Sequence, residues 1–213
     1  MTVAPLAAII STYSFMAIPA ALLIQRPHRM EFPVKLLLVY SLIAFLCDCL
    51  PGLVLATPTF SRILSFAFTI FEYTVFTLFY LHFLQRKSLR RVVLGGSLLF
   101  AGIAVLELQK FGVVYYSRFN AGMTVILIIG YSLLLYHEWL TDNPMELIHK
   151  KPAFWITLGC LLYLSGHFFF FIAVGKQWEQ NWILHAVCNI GKNVLFVIAI
   201  WQTYPAIRPR KIF

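Results

Sequence analysis

Seven apolar blocks of roughly twenty residues follow one another along this chain, at about 3–24, 34–55, 63–84, 92–108, 121–140, 153–174 and 183–203. At 1.5 Å of rise per residue, a helix of that length crosses about 30 Å of hydrocarbon. The breaks between blocks are short and rich in proline or charge, as in QRPHRMEFP after the first and QRKSLRR after the third, which a helix in lipid would not carry. The pattern predicts an all-α, polytopic membrane protein: one seven-helix transmembrane bundle occupying residues 1–213, with nothing left over for a soluble domain. Composition agrees, since only 12% of the residues are charged, against about 25% in an ordinary soluble domain.

The basic residues set the direction. The odd-numbered connections and the carboxy tail contain Arg26, Arg29, Lys35, Arg86, Lys87, Arg90, Arg91, Lys150, Lys151, Arg208, Arg210 and Lys211; the even-numbered connections contain only Arg62, Lys110, Arg118 and Lys176. The positive-inside rule then places the amino terminus outside and the carboxy terminus in the cytoplasm of a bacterial inner (plasma) membrane. A net charge of +9 spread over short loops in this way is not a nucleic-acid surface, which needs basic residues gathered on one folded face. Trp139, Trp155, Trp178, Trp182 and Trp201 fall at or beyond block ends, where indole rings anchor at the headgroups. Cys47, Cys49, Cys160 and Cys188 lie inside apolar blocks and read as small packing residues.

Two charges remain inside the apolar blocks at the greatest depth. Glu72 in the third block and Lys192 in the seventh each sit nine residues from an outer end, about 13–14 Å deep. A charge there costs at least about 2.5–3.5 kcal/mol, so both should face the bundle interior, and the cheapest arrangement has them face one another. Asp48 and His167 fall about 9–11 Å from the outer surface. On the seventh block His185, Asn189 and Lys192 are spaced i, i+4, i+7 and share a face, with Asn193 on its edge. These residues predict one polar chamber in the outer half of the bundle, built from the second, third, sixth and seventh spans. Lys192 would meet the negative group of a small anionic or amphiphilic ligand. His82, His137 and Glu138, at the cytoplasmic ends, are expected to be solvated.

No cofactor is expected. The layout resembles that of retinal proteins, but the position one turn before the lysine, where microbial rhodopsins carry an acid, is Cys188. Seven-helix zinc hydrolases carry an H-x-x-x-H pair in the last helix; the matching pair here is His185 and Asn189, and an amide is a poor zinc ligand. His167 with Asp48 or Glu72 would supply residue types for zinc or haem without the spacing. Catalytic motifs such as G-x-S-x-G or H-E-x-x-H are absent, and no internal repeat favours an inverted-repeat transporter.

The stretches FEYTVFTLFYLHFLQ, FWITLGCLLYLSGHFFFF and WILHAVCNIGKNVLFVIAIW resemble a family of small seven-helix membrane proteins of Bacteroidota without an assigned activity. The resemblance implies a stand-alone membrane module, in some cases similar to the input segments of sensor kinases, and brings no catalytic residues with it. The functional expectation is therefore a sensory or ligand-binding module, with a small, proton-coupled transporter as the alternative. The cluster Arg86, Lys87, Arg90 and Arg91 would engage a cytoplasmic signalling partner or anionic lipid.

Overall fold

A computed structural model describes residues 3–53, 57–112, 118–142, 147–172 and 178–204. Among these, all regular structure is helical: α1 (Val3–Ser14), α2 (Ala17–Gln25), α3 (Phe32–Leu53), α4 (Pro58–Phe83), α5 (Lys87–Phe111), α6 (Arg118–Asp142), a 3₁₀ turn at Ile148–Lys150, α7 (Pro152–Ile172) and α8 (Trp178–Thr203). Among the described residues six segments are long and apolar enough to cross a membrane: Leu6–Gln25, which runs through α1 and α2, then Phe32–Leu50, Thr59–Phe83, Lys87–Lys110, Asn120–Asp142 and Ile183–Thr203. The protein is thus a helical bundle of membrane-spanning character.

The helices overrun the apolar blocks because nothing stops a helix at the edge of hydrocarbon. α4 begins at Pro58 rather than 63, since Thr57 accepts a hydrogen bond from the Phe60 N–H (3.3 Å) and proline suits a first turn. α5 runs to Phe111 and ends on Gly112, whose φ of 72° with ψ of 172° is a positive-φ conformation that glycine supplies cheaply.

The first predicted span is one helix broken in two. Pro19 has no N–H and its ring crowds the carbonyl four residues back, at Phe15. The chain tightens there into i→i−3 bonds, Phe15 N–H to Thr12 O (3.3 Å) and Met16 N–H to Tyr13 O (3.0 Å). The Ser11 carbonyl is thereby released from the ladder.

α8 is the central helix, packed on α1, α2 and α7, while α4 packs on α3, α5 and α6. α7 and α8 come close because glycines line their seam: a Cβ on Gly166 would lie 2.5 Å from Cys188 Sγ, one on Gly159 would lie 2.8 Å from the Phe196 ring, and one on Gly191 would lie 2.7 Å from Leu162. Gly166→Ala should therefore cost about 1–3 kcal/mol in an unfolding titration in detergent. An unchanged midpoint would mean that the two helices are not packed at this distance. α5 is peripheral and turns Val92, Leu94, Leu98, Leu99, Val105 and Leu106 outward, as a lipid-facing helix should.

Candidate functional site

The face of α8 that carries the polar residues is turned inward, against the broken first span and α3. The Asn189 amide donates to Ser11 Oγ (2.9 Å) and to the released Ser11 carbonyl (3.4 Å); Asn193 donates to Ser14 Oγ (2.7 Å), which donates to the same carbonyl (2.6 Å). The amide N–H groups of the α8 asparagines thus satisfy the polar groups of the kink in the first span, while Asn189 Oδ1 and Asn193 Oδ1 are buried without a hydrogen-bond partner among the described residues. Nothing in the sequence pattern pointed to this role for α1.

Lys192 lies between those asparagines and is fully buried, at 0% exposure; Glu72 on α4 is at 5%. They do not touch. Tyr40 of α3 stands between them, its hydroxyl accepting from Lys192 Nζ (2.7 Å) and donating to Glu72 Oε1 (2.7 Å). The ammonium also lies over three rings, 3.9 Å from the Tyr163 centroid, 4.7 Å from Tyr40 and 4.8 Å from Phe15. Each desolvated cation–ring contact is worth up to about 2 kcal/mol, which offsets part of the cost of a charge at this depth.

The chain of ammonium, phenol and carboxylate can pass a proton between two groups that do not touch. If the Tyr40 proton passes to Glu72 and a Lys192 proton passes to the Tyr40 oxygen, the layer becomes amine, phenol and carboxylic acid. No proton enters or leaves. The same side chains can therefore hold a charged or a neutral arrangement.

Beside the layer, on α7 and α8, the His167 and His185 rings meet edge to face at 4.9 Å, with Tyr163 within 5.2 and 5.7 Å of them. Asp48 stands apart from the layer and accepts from Thr12 Oγ1 (3.2 Å). Among the described residues no group of three His, Cys, Asp or Glu is placed to hold a metal ion.

Two clefts flank the layer. The first, of about 410 Å³, opens between the ends of α1, α3, α4 and α8 and is lined by Ala8, Ser11, Thr12, Cys47, Asp48, Ser61, Leu64, Ser65, Phe68 and His185. Its lining includes Phe68, which lies one turn of α4 before Glu72 and 6.3 Å from the Tyr40 ring. The second, of about 340 Å³, opens at the opposite end of the bundle; its lining includes Glu31, Val34, Leu37, Glu138, Trp139, Lys151, Ile156 and Ile200. On α3 the linings are separated by the ten residues from Leu37 to Cys47, or about 15 Å. Tyr40, Phe76, Cys160, Lys192 and Phe196 fill the interval, none more than 1% exposed. The expected chamber is thus two clefts with a closed layer between, and of the predicted residues Asp48 and His185 line the first cleft, while Glu72, Asn189, Lys192 and Asn193 lie in or against the layer. Lys192 lines neither cleft, so the anion contact expected for it is not available from either.

Glu138 is the clearest departure from expectation. It is 2% exposed rather than solvated, and its carboxylate accepts from the backbone N–H groups of Gln85 (3.0 Å) and Arg86 (2.5 Å), in the turn before α5. Arg86 is itself paired with Asp142, leaving Lys87, Arg90 and Arg91 as the exposed part of the basic cluster. Trp139 is buried as well, with Lys151 over its ring at 5.5 Å, whereas Trp201 is exposed as an anchor should be. The Trp178 and Trp182 side chains lie outside the described residues.

Searches against family models, curated proteins and solved structures returned no match.

Proposed function

We propose that this protein is a seven-span sensory or ligand-binding module of the bacterial inner membrane, with α7 as the sixth span, the amino terminus outside and the carboxy terminus in the cytoplasm. The supports for this arrangement are the distribution of basic residues, twelve against four, and the 21-residue length of α7. In this orientation the 410 Å³ cleft faces outward and the Arg86–Lys87–Arg90–Arg91 cluster faces the cytoplasm.

The observation that carries the reading is the placement of an open polar cleft one helical turn above a closed, charged layer. A ligand in the cleft bears on Phe68, Ser11 and His185, and through them on Tyr40, Asn189 and Tyr163. Its binding energy would be spent on shifting the layer between its two arrangements, a change of population among helix packings. The exposed basic cluster then presents that change to a partner protein or to anionic lipid. The resemblance to seven-helix Bacteroidota proteins is compatible with such a module.

The test is the reactivity of Cys47, which lines the outward cleft. In intact cells expressing a Cys49→Ala protein, Cys47 should react with a membrane-impermeant methanethiosulfonate added outside, as read by peptide mass spectrometry. Modification only after the cells are opened would overturn the orientation.

One observation favours a second reading, a proton-coupled transporter: the second cleft approaches the same layer from the other side. A substrate flux into proteoliposomes that is abolished by Glu72→Gln would establish transport; a bound ligand without flux leaves the sensor.

A further inference from the structure

Resting on the reading of the outward cleft as a ligand site, we infer that its ligand is a small organic cation, a protonated or quaternary amine held by Asp48. Among the described residues the lining offers one formal charge, that carboxylate, and neither lysine nor arginine. The inward cleft, by contrast, carries Lys151 among its acids. Asp48 receives one hydrogen bond from Thr12 and makes no ion pair among the described residues.

The hydroxyl groups point the same way. The Thr12 hydroxyl proton is committed to Asp48, and the Ser65 hydroxyl proton to the Ser61 carbonyl (2.9 Å). What these two side chains have left for a ligand is oxygen lone pairs. Around Asp48 that favours a ligand that donates hydrogen bonds, with Ser11, Ser61 and His185 completing the polar lining, and the charge of Asp48 selects a positive one. An anion would meet the Asp48 carboxylate with no lysine or arginine among the described lining residues to offset it.

A metal ion fits less well than an organic cation. Calcium takes six to eight oxygen ligands, and one carboxylate with scattered hydroxyls falls short of that. The apolar part of the lining, Ala8, Leu64 and the ring of Phe68, suits the carbon skeleton of an amine, and the ring adds an attractive face for an ammonium group. A volume of about 410 Å³ is in the range of small-molecule sites.

The experiment uses Cys47 as a reporter in the full chain, carrying Cys49→Ala and reconstituted in vesicles. Its rates of modification by trimethylammonium-ethyl and sulfonatoethyl methanethiosulfonate are compared, each relative to a free thiol in solution. The cationic reagent should be favoured by about tenfold, a preference that Asp48→Asn abolishes and Asp48→Glu retains. Tetramethylammonium should slow the modification in the Asp48 protein and not in Asp48→Asn. A preference for the anionic reagent, or one unchanged in Asp48→Asn, overturns the cation assignment while leaving the cleft in place. If neither reagent reaches Cys47 until the protein is unfolded, the cleft is closed, and both the assignment and the reading beneath it fall.

Discussion

Replacing Lys192 by methionine is expected to destabilise the folded protein by about 3–5 kcal/mol, the largest effect that any single substitution in the buried layer should have. The cost does not come from losing an attraction alone. Methionine keeps most of the volume, but Glu72 then remains buried with a carboxylate that nothing neutralises, while the rings of Phe15, Tyr40 and Tyr163 lose the cation they enclose. Removing both charges should reverse most of the loss. In a Lys192→Met, Glu72→Leu protein the layer becomes an apolar contact of similar volume, and buried ion pairs replaced in that way are commonly neutral or stabilising. The comparison is made by denaturant unfolding in one detergent, with folding checked by monodisperse elution. A cost below about 1 kcal/mol for Lys192→Met would mean that Glu72 is already protonated and the layer is ordinary polar packing.

Tyr40→Phe should cost about 2–3 kcal/mol, because one hydroxyl is the hydrogen-bond partner of two charged groups at once. Its signature is in the coupling rather than the size. Placed on the Lys192→Met, Glu72→Leu background, where neither charge remains, the same substitution should cost almost nothing, giving an interaction energy close to the whole single-mutant effect. If Tyr40→Phe costs the same on both backgrounds, the ring is doing the packing and the hydroxyl relays nothing.

Much of this arrangement was legible in the sequence because hydrocarbon makes charge conspicuous. Glu72 and Lys192 stood out by depth, and the i, i+4, i+7 spacing of His185, Asn189 and Lys192 placed them on one helix face. Tyr40 gave no such signal: a tyrosine in an apolar run reads as a half-buried aromatic, and only the packing of α3 on α4 and the reach of its ring to α8 put its hydroxyl between two charges. The partner of Asn189 was hidden for a different reason. Pro19 announces a break, but the carbonyl that it releases lies eight residues earlier, at Ser11, and is usable only because α1 lies against α8.

Depth along a span also says nothing of direction around the helix. Glu138 and Trp139 sit at the end of α6, where residues are normally wet, yet both turn inward, Glu138 to the turn before α5 and Trp139 toward Lys151. The single chamber expected in the outer half failed likewise. The residues were gathered by depth alone, but Tyr40, Phe76 and Phe196, which carry no charge to mark them, close the space at the level of Lys192.

That closure is the central claim, and Cys160 reports on it directly, being a native thiol buried in the same layer. With Cys47 in the first cleft and a Thr203→Cys variant in the second, which Thr203 also lines, impermeant thiol reagents would be applied from each side of the membrane in turn. A closed layer predicts that Cys47 reacts from outside, that the position 203 thiol reacts from inside, and that Cys160 reacts from neither until the protein is unfolded. Reaction of Cys160 in the folded protein, from either side, would show water reaching the level of Lys192 and contradict the closed layer.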